Sequence, residues 1–453
     1  MEHRILAKKQ FIRIGISGAV GVTAFFLGLL AFNQHESVLI GLIAFLVTLW
    51  TNEGLPLGVV SLLPIILFPA FDILSTNQTS INYSKSIIFL FLGGFLLAIA
   101  VEKTGLHKVI AHRMLSIFPS TVRGIIFSLA ITAGVLSSFL SNTTTALLLM
   151  PLALFLTDDP KIKMRFALAI AYGASVGGIM TPIGTPPNLI LMGIMESKGL
   201  EPIAFIQWVW LVFPLAFLMF FIVSYVLAIG ASDVKIARNE EVPTVTREQK
   251  KVLYSLIALI VLLFVNAPIK PYYDGLGLNE KGILLSFGLL MFLPPINVLT
   301  WKDSKKVPFE IIFLFGAGFS IAAAFTASGL AGSIANYLLD LATLPPVLLM
   351  LAIAAMVTFT TEVTSNTALI SMMLPILFAV SESAGLDTTL FMMIATICAS
   401  YAFMLPIATP PNAIAMASGV VNVGTMARYG IVFNIVGILL IVTVGSLIWS
   451  KFI

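Results

Sequence analysis

The chain has 453 residues, of which 59% are hydrophobic and 10% charged, and its mean hydropathy is +1.05. That composition excludes a water-soluble surface and sets most side chains against lipid. The formal net charge of +4 is spread over loops that flank apolar runs, so it reads as a topology signal rather than a nucleic-acid patch.

In chain order, the first apolar run, Ile14 to Phe32, follows Arg4, Lys8, Lys9 and Arg13 and imitates a signal peptide. It is long, and Asn33-Gln34-His35 follows it in place of a small-residue cleavage site, so a retained first helix is expected. A spanning helix needs roughly 20 apolar residues, and the whole chain has room for about eleven spans plus shorter pieces.

From residue 85 onward the sequence repeats. Displaced by 224 positions, Gly94-Phe95 meets Gly318-Phe319, Gly105-Leu106 meets Gly329-Leu330, and Ser141-Asn142-Thr143 meets Ser365-Asn366-Thr367. At the same displacement Thr185-Pro186-Pro187-Asn188 meets Thr409-Pro410-Pro411-Asn412. Shared lipid-facing composition does not hold register through identical polar tetrads. Duplicated apolar segments interrupted by polar and proline residues at equivalent places point to a secondary transporter whose substrate site lies between the repeats.

Each Ser-Asn-Thr sits in the middle of an apolar run of 33 residues, Gly124 to Leu156 and Leu348 to Val380. Two spans would need roughly 40 residues, so a re-entrant hairpin is expected in each run. Lys103, Lys108, Arg113 and Arg123 precede the first run and Lys161, Lys163 and Arg165 follow it, which assigns both its ends to the cytoplasm. Ala327 to Val347 and Ser381 to Leu390, around the second run, contain no Lys or Arg, which assigns both its ends to the outside. Further cytoplasmic loops are marked by Lys235, Arg238, Arg247, Lys250 and Lys251, by Lys302, Lys305 and Lys306, and by Arg428. The expected architecture is an all-α polytopic membrane protein with two inverted-topology repeats, a cytoplasmic amino terminus and an external carboxyl terminus.

Irregular backbone at membrane depth needs protein or a water-filled cavity to satisfy its polar groups. Ser and Asn favour the N-cap, so the second arm of each hairpin is expected to begin near Asn142 or Asn366, with the positive end of its dipole at the tip, where it attracts carboxylates. The first arm ends at the same tip and offers carbonyl oxygens to a cation. The paired prolines of Gly184-Thr185-Pro186-Pro187-Asn188 and Ala408-Thr409-Pro410-Pro411-Asn412 remove two donors each and are expected to break their helices.

No Lys or Arg lies within the hairpins or broken helices, so a bound dianion would be neutralised by helix ends, hydroxyls, amides and cations. Glu362 is the carboxylate near a hairpin tip, open to a functional role or to a structural hydrogen-bonding one. Glu102 beside Lys103 reads as an interfacial charge. His3, His35, His107 and His112 show no metal-ligand spacing, and the single Cys398 allows no intrachain disulfide. The spans lack the paired acids, or nucleophile with adjacent base, of an intramembrane enzyme, and duplicated broken helices suit alternating access better than a channel. A Na+/H+ antiporter would need more titratable acids in the core than Glu362.

The order Gly-Phe, Gly-Leu, Ser-Asn-Thr, Gly/Ala-Thr-Pro-Pro-Asn, present twice, resembles the divalent anion/sodium symporter family of INDY-type dicarboxylate transporters, and the likeness covers nearly the whole chain. The resemblance implies a homodimer in the cytoplasmic membrane of a bacterium, with a scaffold and a transport region moving by an elevator-like motion. Residues 1–84 and 252–306 would be scaffold helices. Residues 85–230 would form the first repeat (hairpin 124–156, broken helix 166–197) and 307–453 the second (hairpin 348–380, broken helix 389–420), joined by a cytoplasmic linker at 231–251. It further implies a first Na+ site at Ser137, Ser141, Asn142 and Gly184 and a second at Thr361, Thr364, Asn366 and Ala408. Substrate carboxylates would lie between Asn142-Thr143 and Asn366-Thr367, against Thr409 and Pro410, with Thr185 and Pro186 lining the pocket. No cofactor and no metal other than Na+ is implied.

The family holds both Na+ symporters and exchangers. Moving one charge through 100 mV is worth about 2.3 kcal/mol, so importing a dianion against an inside-negative potential costs about 4.6 kcal/mol. Two Na+ would cancel that charge, whereas an exchanger needs none. The acid itself, succinate, malate, fumarate, 2-oxoglutarate or the tricarboxylate citrate, is left open by the motifs.

Overall fold

A computed structural model describes residues 2–231, 235–236, 244–268, 272–338 and 344–452. Of the expected linker at 231–251, residues 232–234 and 237–243 lie outside the described residues; from Arg247 onward it is helix. The described residues form helices joined by turns and irregular segments, with no strand among them and an isolated bridge between Thr121 and Lys235. Among the described residues, seven helices are long and apolar enough to cross a membrane. The chain is a polytopic all-α membrane protein.

These seven are the unbroken ones; shorter, interrupted or charge-flanked apolar helices accompany them. Some apolar runs are divided by proline: Leu57–Leu62 gives way to Pro64–Ala70, and Thr388–Ala399 is separated from Pro410–Ala417. Other helices, Pro160–Gly178 and Arg247–Asn266, have the length but open with charges, Lys161, Lys163 and Arg165 in one and Arg247, Glu248, Lys250 and Lys251 in the other.

Local chemistry sets the boundaries. Gln34–Asn52 starts at a capping box in which Asn33 and Glu36 bond each other's backbone N–H, and Arg247–Asn266 starts at the same device built from Thr246 and Gln249. The helix Val122–Ser137 packs along Pro160–Gly178 so closely that a Cβ on Gly177 would lie 2.1 Å from the carbonyl oxygen of Gly134. At the positions 224 further on stand Thr358 and Tyr401, and the buried Tyr401 hydroxyl has no hydrogen-bond partner among the described residues. The glycine-on-glycine contact of the first copy therefore has no counterpart at the equivalent positions of the second.

Candidate functional site

Each Ser-Asn-Thr motif lies at a tight reversal between two helices. Val122–Ser137 turns into Asn142–Phe155, and Pro346–Thr361 turns into Asn366–Ser383. The N-caps are Ser141, accepting from the Thr144 N–H at 3.1 Å, and Ser365, accepting from the Ala368 N–H at 3.4 Å. The asparagine that follows is held by a hydroxyl five residues earlier. Ser137 Oγ donates to Asn142 Oδ1, and Thr361 Oγ1 lies 2.6 Å from Asn366 Oδ1 and 2.9 Å from the Ala399 carbonyl oxygen. Thr364 instead donates to the Thr360 carbonyl.

The Pro-Pro-Asn segments start new helices. Thr185 and Thr409 are extended, with φ −145° and −141°, and Pro186 and Pro410 take the first helical turn, where a missing N–H leaves nothing unpaired. The asparagine two residues on then bonds back across the break. Asn188 Nδ2 donates to the carbonyls of Gly178 (3.3 Å) and Thr181 (2.9 Å), and Asn412 Nδ2 to those of Ala402 (3.0 Å) and Leu405 (3.1 Å). Both pairs of acceptors are related by the same 224-residue displacement. Asn188 and Asn412 are fully buried, and the Oδ1 atom of each has no donor among the described residues.

Both tips and both breaks open onto one cavity of about 580 Å³. Asn142, Thr143, Asn366 and Thr367 line it from the tips, and Thr185, Pro186, Thr409 and Pro410 from the breaks. Of the residues expected around cations, Ser141, Gly184 and Ala408 also line it, whereas Ser137, Thr361 and Thr364 do not; Ser137 and Thr361 are buried behind the tips. A Cβ on Gly184 would sit 2.4 Å from the Gly178 carbonyl oxygen and 3.2 Å from that of Ser137, so the first break presses directly on the first tip. Phe91, Phe95 and Phe315 supply apolar wall.

Four helices begin at this cavity, at Asn142, Pro186, Asn366 and Pro410. With roughly half a positive charge at each helix amino end, about two charges' worth of dipole converges there. The prolines contribute no N–H, so the free donors come from the tips, where the first N–H groups of each helix have no intrahelical partner.

Glu362 settles on its structural side. Its carboxylate accepts from the backbone N–H groups of Met404 and Leu405, each at 2.9 Å, and from Asn434 Nδ2 at 2.6 Å. It is buried and outside the cavity lining. In the first copy Ser138 holds that position, and the Thr181 hydroxyl makes the link from break to tip by donating to the Ser138 carbonyl. Trp208 Nε1 bonds the Ile179 carbonyl at 2.9 Å, while in the second copy Asn434 Oδ1 accepts from the Phe403 N–H at 3.3 Å. Thr181, Trp208 and Asn434 carry no motif, and nothing in the sequence marks them.

The sequence matches the citrate transporter family over residues 43–396. It is 31% identical to the "Sodium-dependent dicarboxylate transporter SdcS" of Staphylococcus saprophyticus, covering 94% of this chain and 89% of that one. To the protein of the same name in Staphylococcus aureus strain USA300 it is 32% identical, covering 96% and 92%. The chain belongs to the divalent anion/sodium symporter family. It is therefore a transporter and not an enzyme. Its fold is also similar to that of the Alcanivorax borkumensis YdaH transporter, with a TM-score of 0.64 at 16% identity over 92% of this chain and 99% of the other.

The transporter's cavity also carries a charge pair that the motifs do not place there. The hairpins and broken helices hold no Lys or Arg, yet Lys306, from the turn Trp301–Lys306, reaches the cavity edge, and so does Glu102. Lys306 Nζ lies 3.3 Å from Glu102 Oε1. Next to them Lys103 Nζ lies 2.7 Å from Asp303 Oδ2, a hydrogen bond that holds the Asp303 carboxyl down at about 2 from its ordinary 3.8.

Proposed function

We propose that the protein is a secondary active carrier of C4 and C5 dicarboxylates such as succinate, malate, fumarate and 2-oxoglutarate, coupled to Na+. The observation that carries this reading is the single cavity bordered by both tips and both breaks. A dianion about as long as succinate would lie between Asn142-Thr143 and Asn366-Thr367, taking the tip N–H groups and threonine hydroxyls as donors while the four helix ends balance its charge. Na+ would be held on either side of it, by Ser137, Ser141, Asn142 and Gly184 in the first copy and by Thr361, Thr364, Asn366 and Ala408 in the second. The oxygen-rich chemistry suits a hard cation: carbonyls, amide oxygens and hydroxyls, including the Oδ1 atoms of Asn142 and Asn366.

The relatives named as sodium-dependent dicarboxylate transporters favour symport over exchange. The transport region, with its tips and breaks, would travel against the scaffold helices in an elevator-type cycle within a homodimer, its repeats inverted relative to one another. The test is uptake of labelled succinate into proteoliposomes. An inward Na+ gradient over empty vesicles should drive accumulation. Uptake seen only with internal dicarboxylate and no Na+ would make the protein an exchanger, and uptake of citrate alone would move the substrate class to tricarboxylates.

A further inference from the structure

Resting on that functional reading, we infer that Lys306 is a selectivity residue at one mouth of the cavity, drawing dicarboxylates in from a single face of the membrane, with Glu102 as the carboxylate that tempers it. Among the described residues lining the cavity, Lys306 is the only Lys or Arg and Glu102 the only acid. Every other polar group in that lining is neutral, so this pair supplies the full charges of the described cavity wall.

The pair is placed to act on substrate rather than to hold the fold. Its side chains are half-exposed, at 50% for Lys306 and 42% for Glu102. The turn that carries Lys306 is anchored elsewhere: Asp303 accepts from the Thr300 N–H at 2.7 Å and from Lys103 at 2.7 Å, which ties Trp301–Lys306 to the end of the helix Ser86–Thr104. The ammonium of Lys306 has three donors and one carboxylate partner, so it can take a substrate carboxylate without releasing Glu102. Helix dipoles then receive the anion deeper in the cavity.

The positive-inside count puts this face toward the cytoplasm. A charge effect at one mouth predicts a sided change in apparent affinity. For a unit charge and a dianion about 8 Å apart in water, Coulomb's law gives a factor of about five.

The experiment is succinate transport by the full-length protein in right-side-out and inside-out vesicles, at fixed Na+ and varied choline chloride. Lys306→Gln should raise KM about fivefold on one face with kcat held, Glu102→Gln should lower it on that same face, and the double variant should return to within about twofold of the parent. Near 1 M salt, where the screening length falls to about 3 Å, the differences should shrink below about twofold. A change in kcat at constant KM, an equal effect on both faces, or a double variant no better than Lys306→Gln would overturn the inference while leaving dicarboxylate transport intact. If the parent protein moves no dicarboxylate at all, the functional reading fails, and this inference with it.

Discussion

Asn412 joins the two halves of the second broken helix, and replacing it tests that join. Its amide donates to the carbonyls of Ala402 and Leu405 at 3.0 and 3.1 Å from a fully buried position. Leu405 keeps a second donor, the Ala408 N–H at 3.2 Å, so its loss is an ordinary bond of about 1 kcal/mol. The Ala402 carbonyl has no other donor among the described residues, and stranding it costs about 1–3 kcal/mol. Removing the unpartnered Oδ1 offsets part of this, so Asn412→Ala should destabilise the protein by about 1–3 kcal/mol. Asn412→Asp should be worse, because it turns the donor into a third oxygen facing two carbonyls. Thermal unfolding of the detergent-solubilised protein, followed by tryptophan fluorescence, should rank the parent above Ala and Ala above Asp. An Asp variant as stable as the parent would refute the reasoning.

Other consequences follow from the same geometry. Asn142→Ala and Asn366→Ala should each abolish succinate uptake while leaving the folded protein recoverable by size-exclusion chromatography; normal uptake by both would remove the tips from the site. Gly184→Ala should distort the first break by about 1–3 kcal/mol of overpacking, since the new methyl meets the Gly178 carbonyl at 2.4 Å, whereas Ala408→Gly in the second copy should cost about 1 kcal/mol or less. Unfolding temperatures of the two variants compare them directly. Glu362→Gln should lower stability by about 1.5–3 kcal/mol, because one carboxylate oxygen that accepts N–H donors becomes an NH2 group, and should leave the Na+ dependence of uptake unchanged. Altered Na+ affinity at parental stability would contradict that. Asp303 has a depressed carboxyl, so the stability from its bond to Lys103 is complete above its ordinary 3.8 and is lost as pH falls through about 2. The effect of Asp303→Asn on unfolding should therefore be the same at pH 5 and pH 9.

The parts of the site written twice in the sequence were legible there. Asn142 and Asn366, Thr185 and Thr409, and the proline pairs stand at a constant displacement, and local rules for caps and proline fix the backbone around them. Asn188 and Asn412 were visible as motif letters, but their role in crossing the break depends on a bend that brings residues seven and ten positions away within reach. What replaces symmetry was not legible. Glu362 and Asn434 meet across 72 residues and Lys306 and Glu102 across 204. Lys306 sits in a basic loop whose charges serve topology equally well, so nothing local separates it from Lys302 and Lys305.

The central claim, that the shared cavity is where substrate binds, is open to direct measurement through Ile407. This residue lines the cavity, is 74% exposed and is given no binding role, and the native Cys398 is buried and should contribute little background. Ile407→Cys should react readily with a small methanethiosulfonate reagent, and succinate should slow that reaction about tenfold in Na+ but not in K+. Labelling that proceeds at the same rate with and without succinate in Na+, in a variant that still transports, would contradict the account.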